Sequence, residues 1–374
     1  MGRYKVNLFN NRVNLVLSGG GVKGIAYIGA FGVAERIGYK WGNIAGVSAG
    51  ALAGSFAAAG YSTEELKNIM NEFDMQQLEI NEIPGKVSAV SRYMRFANEY
   101  RSTGAGSLLH FLCKGQAEIR DRSRTAELSS YRGNILKNAV TYSKEGCLYD
   151  GDYLEEWVDK VLAGRGIQTF GDLRGGMADK ANPNGYKVRM TAVDATRAKT
   201  VVLPDDIAFY GINPDGLRVS KAVRMSTSVP FAFKPVELKK QEQGVSQTFH
   251  IVDGGVFDNF PFWLIDNSEE IQTAGFRLDG GGISNIISFD TPLNILKGLI
   301  SAVHDLGIPK DVYFKGVVAN IDTSMVSFLD FNLTDAEKKY LYSSGEKSAI
   351  MLFSNIRQRK SLLRKLIMTS FFKR

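Results

Sequence analysis

The pentad Gly46-Val47-Ser48-Ala49-Gly50, directly after Ile44-Ala45, has the G-x-S-x-G form in which a strand turns sharply into a helix and lifts a serine hydroxyl clear of the main chain. A serine so placed attacks a carbonyl carbon when a base takes its proton and N–H donors meet the oxyanion that forms. The loop Gly19-Gly20-Gly21-Val22-Lys23-Gly24 follows the apolar run 13–17 and offers such donors. With a helix behind it, its N–H groups form a cradle for a negative oxygen. Lys23 adds a positive charge that could meet a phosphate or shape the field. Each motif alone also has a plainer reading, as turn glycines or as a serine capping a helix.

The glycine loop also fits G-x-G-x-x-G, so a dinucleotide must be weighed. That site requires a carboxylate about 20 residues on, at the end of the second strand, for the ribose hydroxyl. The window 37–44 reads Ile-Gly-Tyr-Lys-Trp-Gly-Asn-Ile and holds none. A nucleotide P-loop fails too, because no Gly-Lys-Ser/Thr triplet closes the loop.

A nucleophilic serine needs a base, and the chain has only His110, His250 and His304. None has the late, loop-borne setting of a hydrolase histidine. Asp253-Gly254-Gly255 follows the apolar strand 249–252 and supplies a carboxylate instead. A partly desolvated aspartate within reach of the hydroxyl can take its proton directly, and Gly254 and Gly255 let the backbone come close. An Asp-Gly-Gly hairpin turn is the plainer alternative.

The elements that must position these groups follow from hydrophobic period. Residues 13–18 and 41–46 read as buried strands, and 24–37 and 49–59 as closely packed helices, the second rich in alanine. This β-α-β-α succession implies parallel strands with right-handed crossovers. Ser62-Thr63-Glu64-Glu65 reads as a helix start, opening a more polar stretch to 144 that is either a substrate lid or scaffolding. Beyond it, 153–163 reads as helix, 186–193 and 200–203 as strands, and 220–229 as a small-residue helix stopped by Pro230. In an open α/β sheet reactive groups collect at the carboxyl ends of strands, where Ser18, Ser48 and Asp253 all fall.

With 374 residues, 44% of them hydrophobic, and nine prolines, the chain can bury one large core and shows no linker or repeat. Cys113 and Cys147 read as reduced thiols. The start Met1-Gly2-Arg3-Tyr4-Lys5 leaves no room for a signal peptide, and Val6 breaks the myristoylation pattern. No apolar run spans a bilayer. These features predict a soluble, cytoplasmic protein. The net charge of +7 sits wholly in the segment 357–374, which has seven basic residues and no acid. Leu363, Leu366, Ile367 and Phe371 fall on one helical side of it, with Arg357, Arg364 and Lys365 opposite. That pattern predicts a basic amphipathic tail over 346–374, after a catalytic domain over 8–345, which binds anionic lipid headgroups peripherally. A helix packed on its own domain is the alternative. Without interleaved aromatics the charge does not predict nucleic-acid binding.

Together, the glycine loop 19–24, the Gly46–Gly50 pentad, and Asp253-Gly254-Gly255 followed by Asn259 and Pro261 resemble the three signature blocks of the patatin-like phospholipase family, of bacterial type. Ser226-Thr227-Ser228-Val229-Pro230 is similar to the helix end that precedes the aspartate block there, and the match spans about 12–265. The resemblance implies a three-layer α/β/α fold with a mainly parallel sheet, and a lipid acyl hydrolase without metal or organic cofactor. Ser48 would be nucleophile and Asp253 base, with Gly20, Gly21 and neighbouring N–H groups the oxyanion hole. Lys23 stands where many members carry arginine. The resemblance leaves room for an acyltransferase or lysophospholipase on the same site. It also leaves room for an effector silent until a small molecule or protein partner activates it. Beyond about 270 no motif is legible.

Overall fold

The computed structural model describes residues 11–73, 75–78, 147, 149, 151–230, 232–242, 244–265, 272–280, 316–326, 328 and 333–371, the last stretch with side chains to 357. His110, Cys113, His304 and most of the polar stretch after 78 lie outside them.

Strand β1 (Arg12–Leu17) is buried from its second residue on. Its Val13, Leu15 and Leu17 face one core and Val16 the other, the period of two that a strand covered on both sides requires. A 3-10 turn over Gly21–Ile25 leads into helix α1 (Ala26–Arg36), so the α-helix begins two residues later than the expected 24. Strand β2 (Lys40–Val47) runs into helix α2 (Ala49–Ala58), whose small residues pack closely on the sheet. Helix α3 (Thr63–Glu72) starts at the predicted position. The Ser62 hydroxyl accepts from the Glu65 N–H and the Glu65 carboxylate accepts from the Ser62 N–H, a reciprocal cap. Next come α4 (Asp152–Ala163), β3 (Val188–Asp194), β4 (Lys199–Leu203) and α5 (Val219–Ser226). They are followed by β5 (Val236–Glu242), β6 (Val245–Asp253), β7 (Thr273–Asp279), β8 (Gly316–Asp322) and α6 (Asp335–Phe371).

The eight strands form one sheet in the order β5-β6-β3-β2-β1-β7-β8, with β4 also on β3. It is parallel from β3 through β8 and antiparallel where β4, β5 and β6 join. The sheet is therefore mixed but mainly parallel, as expected, with β3, β2, β1, β7 and β8 as its parallel part, and helices flank it in three α/β/α layers. Strand β6 takes its direction from the tight β5–β6 hairpin, which local hydrophobicity does not announce.

Helix α6 continues unbroken through 345, where the sequence reading divides domain from tail. Its Leu341, Ala349, Leu352, Phe353 and Ile356 are buried in the main core, so the first turns of the expected tail are core rather than membrane face. The helix crosses α1 backbone to backbone. A side chain on Gly345 would meet the Ala26 carbonyl, and one on Gly29 the Tyr342 carbonyl. Among the described residues no helix is long and apolar enough to cross a membrane.

Gly345→Leu should therefore destabilise the protein by about 2–3 kcal/mol in urea unfolding. Overpacking against a backbone carbonyl that cannot rotate away outweighs a helix-propensity gain of about 1 kcal/mol. Unchanged stability would mean that the two helices do not touch at this crossing.

Candidate active site

Strand β3 brings the serine and the aspartate together. Strand β2 runs parallel along one edge of β3 and ends with Val47 opposite Thr191. Strand β4 occupies the other edge over the whole of Met190–Asp194, so β6, which pairs with Ala192–Asp194, shares the β2 edge and arrives from the opposite direction. Asp253, its last residue, lies opposite Ala192, one register step beyond the end of β2. Ser48 and Asp253 thus meet where two strands come head to head. The sequence reading places Asp253 at a carboxyl strand end, and it is one, but of an antiparallel strand.

Ser48 is buried and sits at φ 53°, ψ −121°, a conformation that side chains rarely adopt. The turn closes because its flanking glycines have no side chains: a Cβ on Gly46 would strike the Gly50 backbone, and one on Gly50 the Leu17 and Ser18 carbonyls. A second clamp comes from Ser226, at the end of α5. Its hydroxyl accepts from the Ser48 N–H at 2.9 Å and donates to the Thr191 carbonyl at 2.7 Å. The sequence reading assigns Ser226 no role. Its place at the end of a small-residue helix stopped by proline is the signal that points to a buried contact.

Asp253 is likewise buried. Its Oδ1 accepts from the Gly255 N–H at 2.7 Å, while Oδ2 is buried without a hydrogen-bond partner. Burial raises the carboxyl from its ordinary value of 3.8 to about 7, against smaller opposing effects of the Ser48 hydroxyl and the Gly255 N–H. The hydroxyl is near enough to favour the charged form, yet no formed hydrogen bond ties it to Oδ2. His250 faces elsewhere, exposed, with Thr196 and Glu237 beside its ring.

The glycine loop lies across from this pair. A Cβ on Gly19 would stand 3.2 Å from the Ser48 Cβ. The Gly19 N–H donates to the Asn259 carbonyl, that of Val22 to the Phe328 carbonyl and that of Lys23 to the Gly20 carbonyl. Among the described residues no partner takes the N–H of Gly20, of Gly21 or of Ala49, the first residue of α2. Three of the six predicted loop residues are therefore spent on holding the loop, and two keep their donors. Lys23 is not a solvated lysine. It is half-buried, and loss of hydration lowers its pKa, with Asp279 and Asp322 at the ends of β7 and β8 as opposing charges. Cys147 is a buried thiol.

From Ser48 and Gly21 an apolar cavity of about 110 Å³ runs between α1 and α2 under α3, lined by Ile28, Phe31, Leu52, Phe56, Met70 and Phe73 among others.

A mixed sheet between helical layers, with a serine turn and a glycine loop at one crevice, is the patatin fold, as the match of residues 15–266 to that family's profile requires. The chain belongs to the patatin-like phospholipase family, whose sequence profile matches residues 15–266, which places it among lipid hydrolases as a class. It is 34% identical over 263 residues to the uncharacterised protein YqhO of Bacillus subtilis (strain 168), covering 70% of each chain. It is 24% identical over 356 residues to the uncharacterised protein R571 of Acanthamoeba polyphaga mimivirus, covering 90% of this chain and 91% of that one. Among solved structures it is similar to VipD from Legionella pneumophila at a TM-score of 0.47 and 18% identity, over 92% of this chain and 67% of that one.

The raised Asp253 pKa makes a stability prediction that needs no substrate. Below pH about 4 the carboxyl is protonated in folded and unfolded chains alike, so burying it carries no charge penalty. Between that point and pH about 7 only the unfolded chain ionises, and wild type should lose up to about 4 kcal/mol, at 1.36 kcal/mol per unit, relative to Asp253→Asn. Above pH 7 the difference should stay constant. Urea unfolding of both proteins from pH 4 to 8 checks this, and a difference that does not change with pH refutes the buried, raised carboxyl.

Proposed function

We propose that this chain hydrolyses the carboxylic esters of glycerophospholipids, with Ser48 as nucleophile and Asp253 as its base. The observation that carries the reading is the pairing of a strained, buried serine with a buried carboxylate whose second oxygen has no partner, at the head of an apolar cavity.

In this reading the acyl chain enters the cavity and its ester carbonyl rests against Ser48. Ionised Asp253 takes the proton from the Ser48 hydroxyl as Oγ bonds to the carbonyl carbon. The oxygen that gains the negative charge faces the donors of Gly20 and Gly21, with the α2 N-terminus and its Ala49 N–H behind them. Collapse of the tetrahedral intermediate breaks the ester C–O bond. The lysolipid oxygen leaves with the proton held by Asp253, and the acyl group stays on Ser48. Water then gives its proton to Asp253 and its oxygen to the acyl carbon, which releases the fatty acid and restores the hydroxyl. A base with a pKa near 7 is ionised for a large share of molecules at neutral pH, yet still basic enough to take a hydroxyl proton. An ordinary aspartate would be ionised but a far weaker base.

The C-terminal segment gives this chemistry a route to its substrate. Helix α6 keeps its backbone form to Phe371, beyond the buried Ile356, and the seven basic residues of segment 357–374 would sit against anionic headgroups. The protein is then cytoplasmic and peripheral on the membrane.

Ser48→Ala and Asp253→Asn should each lower fatty-acid release from phospholipid vesicles by at least about 10³-fold, with native circular dichroism; near-wild-type release by either variant sinks the reading. Truncation after Arg357 leaves the buried turns of α6 in place and removes six of the seven basic residues. Flotation with vesicles rich in phosphatidylglycerol should show binding reduced more than tenfold, and undiminished flotation would contradict the role given to the tail.

A further inference from the structure

The apolar cavity beside Ser48 has a floor, and beyond that floor lies a second opening. Helices α1 and α2 leave the glycine loop and the serine turn side by side, held close where Gly24 meets Ala49 at a separation that would leave 2.9 Å to an added Cβ. Helix α1 and the turn before it present Ile25, Ile28 and Phe31 to the cavity, and α2 presents Ala49, Leu52, Ala53 and Phe56. Across the far end lies α3, with Leu66, Met70 and Phe73.

The closure there is aromatic and one layer thick. Phe73 packs on Trp157 with ring centres 4.3 Å apart and on Tyr153 at 5.5 Å, and Phe56 meets Trp157 edge-on at 5.6 Å and Tyr61 at 6.0 Å. Tyr61, Tyr153 and Trp157 in turn line a surface groove of about 570 Å³ between α3 and α4. Among the described residues, this layer is what separates the inner cavity from the groove.

We propose that the Phe56–Phe73–Trp157 layer is a ruler for acyl-chain length, with Phe73 the residue that sets the limit. The inference rests on Ser48 as the point where the chain begins. At a rise of about 1.5 Å per residue, Phe56 stands about 12 Å along α2 from Ser48. An extended alkyl chain advances about 1.25 Å per carbon, given C–C bonds near 1.5 Å and near-tetrahedral angles. In length about eight to ten carbons therefore reach from Ser48 to the floor, and because the empty space of about 110 Å³ is less than the roughly 150 Å³ that admits one benzene, such a chain seats only by parting the side chains of the walls. A longer chain must bend back towards the mouth or break the aromatic layer. Removing the Phe73 ring recedes the floor by about one ring spacing, 4.3–5.5 Å, which is room for about four more carbons, and opens a way into the groove. A larger side chain at Ala53, halfway down α2, shortens the cavity instead.

Calorimetric titration of the full chain with straight-chain primary alcohols of about four to fourteen carbons reads the ruler without turnover. Affinity should climb about fourfold per methylene, the worth of one buried CH₂, and level off at about eight to ten carbons. In Phe73→Ala the plateau should move about four carbons longer, and in Ala53→Leu it should move shorter. The second variant adds bulk rather than removing it, so the test survives if the first does not fold. A parallel series of p-nitrophenyl esters should show the same shifts in kcat/KM. A wild-type affinity still climbing past about twelve carbons, or an unmoved plateau in folded variants, overturns the ruler. Absence of ester cleavage by the wild type at every length would instead remove the proposed hydrolysis, with the alcohol series still deciding the cavity.

Discussion

Strand β3 is shared along one edge by two strands that run towards each other, and the site depends on that sharing. Val47 stops opposite Thr191 and Asp253 stops opposite Ala192. Adjacent register positions on a single strand therefore fix how far the serine turn is from the carboxylate. The same Thr191 offers its carbonyl to Ser226, whose oxygen accepts from the Ser48 N–H. Three chain segments far apart in sequence are thus referred to two adjacent residues, Thr191 and Ala192. A shift of one residue would turn the side chains of β6 to the other face and take Asp253 with them.

Burial at this junction has a cost and a use. A carboxylate removed from water, with one donor from Gly255 and a second oxygen left over, is held near neutral pKa. Ionising it works against folding, and the surrounding core supplies the stability that offsets this. A solvated aspartate would carry no such penalty and would also hold its charge too well to accept a hydroxyl proton. The glycine loop shows the same division of labour. The N–H groups of Gly19, Val22 and Lys23 hold it in place, and half-buried Lys23 has Asp279 and Asp322 as opposing charges. Among the described residues the N–H groups of Gly20 and Gly21 have no partner. Anchoring some amides is what keeps the others fixed.

The parts legible in the sequence are those that local backbone chemistry dictates. A serine at positive φ between glycines, a glycine loop after a buried strand, and a reciprocal Ser62–Glu65 cap each declare themselves within a few residues. Features that depend on distant partners do not. Strand β6 reads as an apolar run, and nothing in residues 249–252 says that it runs antiparallel to β3. Lys23 reads in the sequence as a charge that could meet a phosphate or shape the field, because its opposing charges Asp279 and Asp322 stand at the ends of β7 and β8, in a region where no motif is legible. Helix α6 shows the limit of periodicity: an apolar stripe serves a membrane or a core equally well, and Leu352, Phe353 and Ile356, before the stripe read from the sequence, lie in the core. The apolar cavity is invisible in the sequence because its walls come from α1, α2, α3 and α4, none of which looks unusual alone.

The central claim is that buried Asp253 controls the reactivity of Ser48, and the rate of covalent labelling of Ser48 by a fluorophosphonate across pH measures it most directly. The rate should rise tenfold per pH unit and level off around a single ionisation near pH 7. Substitution by asparagine should remove both the pH dependence and nearly all the labelling. Labelling of Asp253→Asn at the wild-type rate, or a wild-type rate that does not vary between pH 5 and 8, would contradict the account.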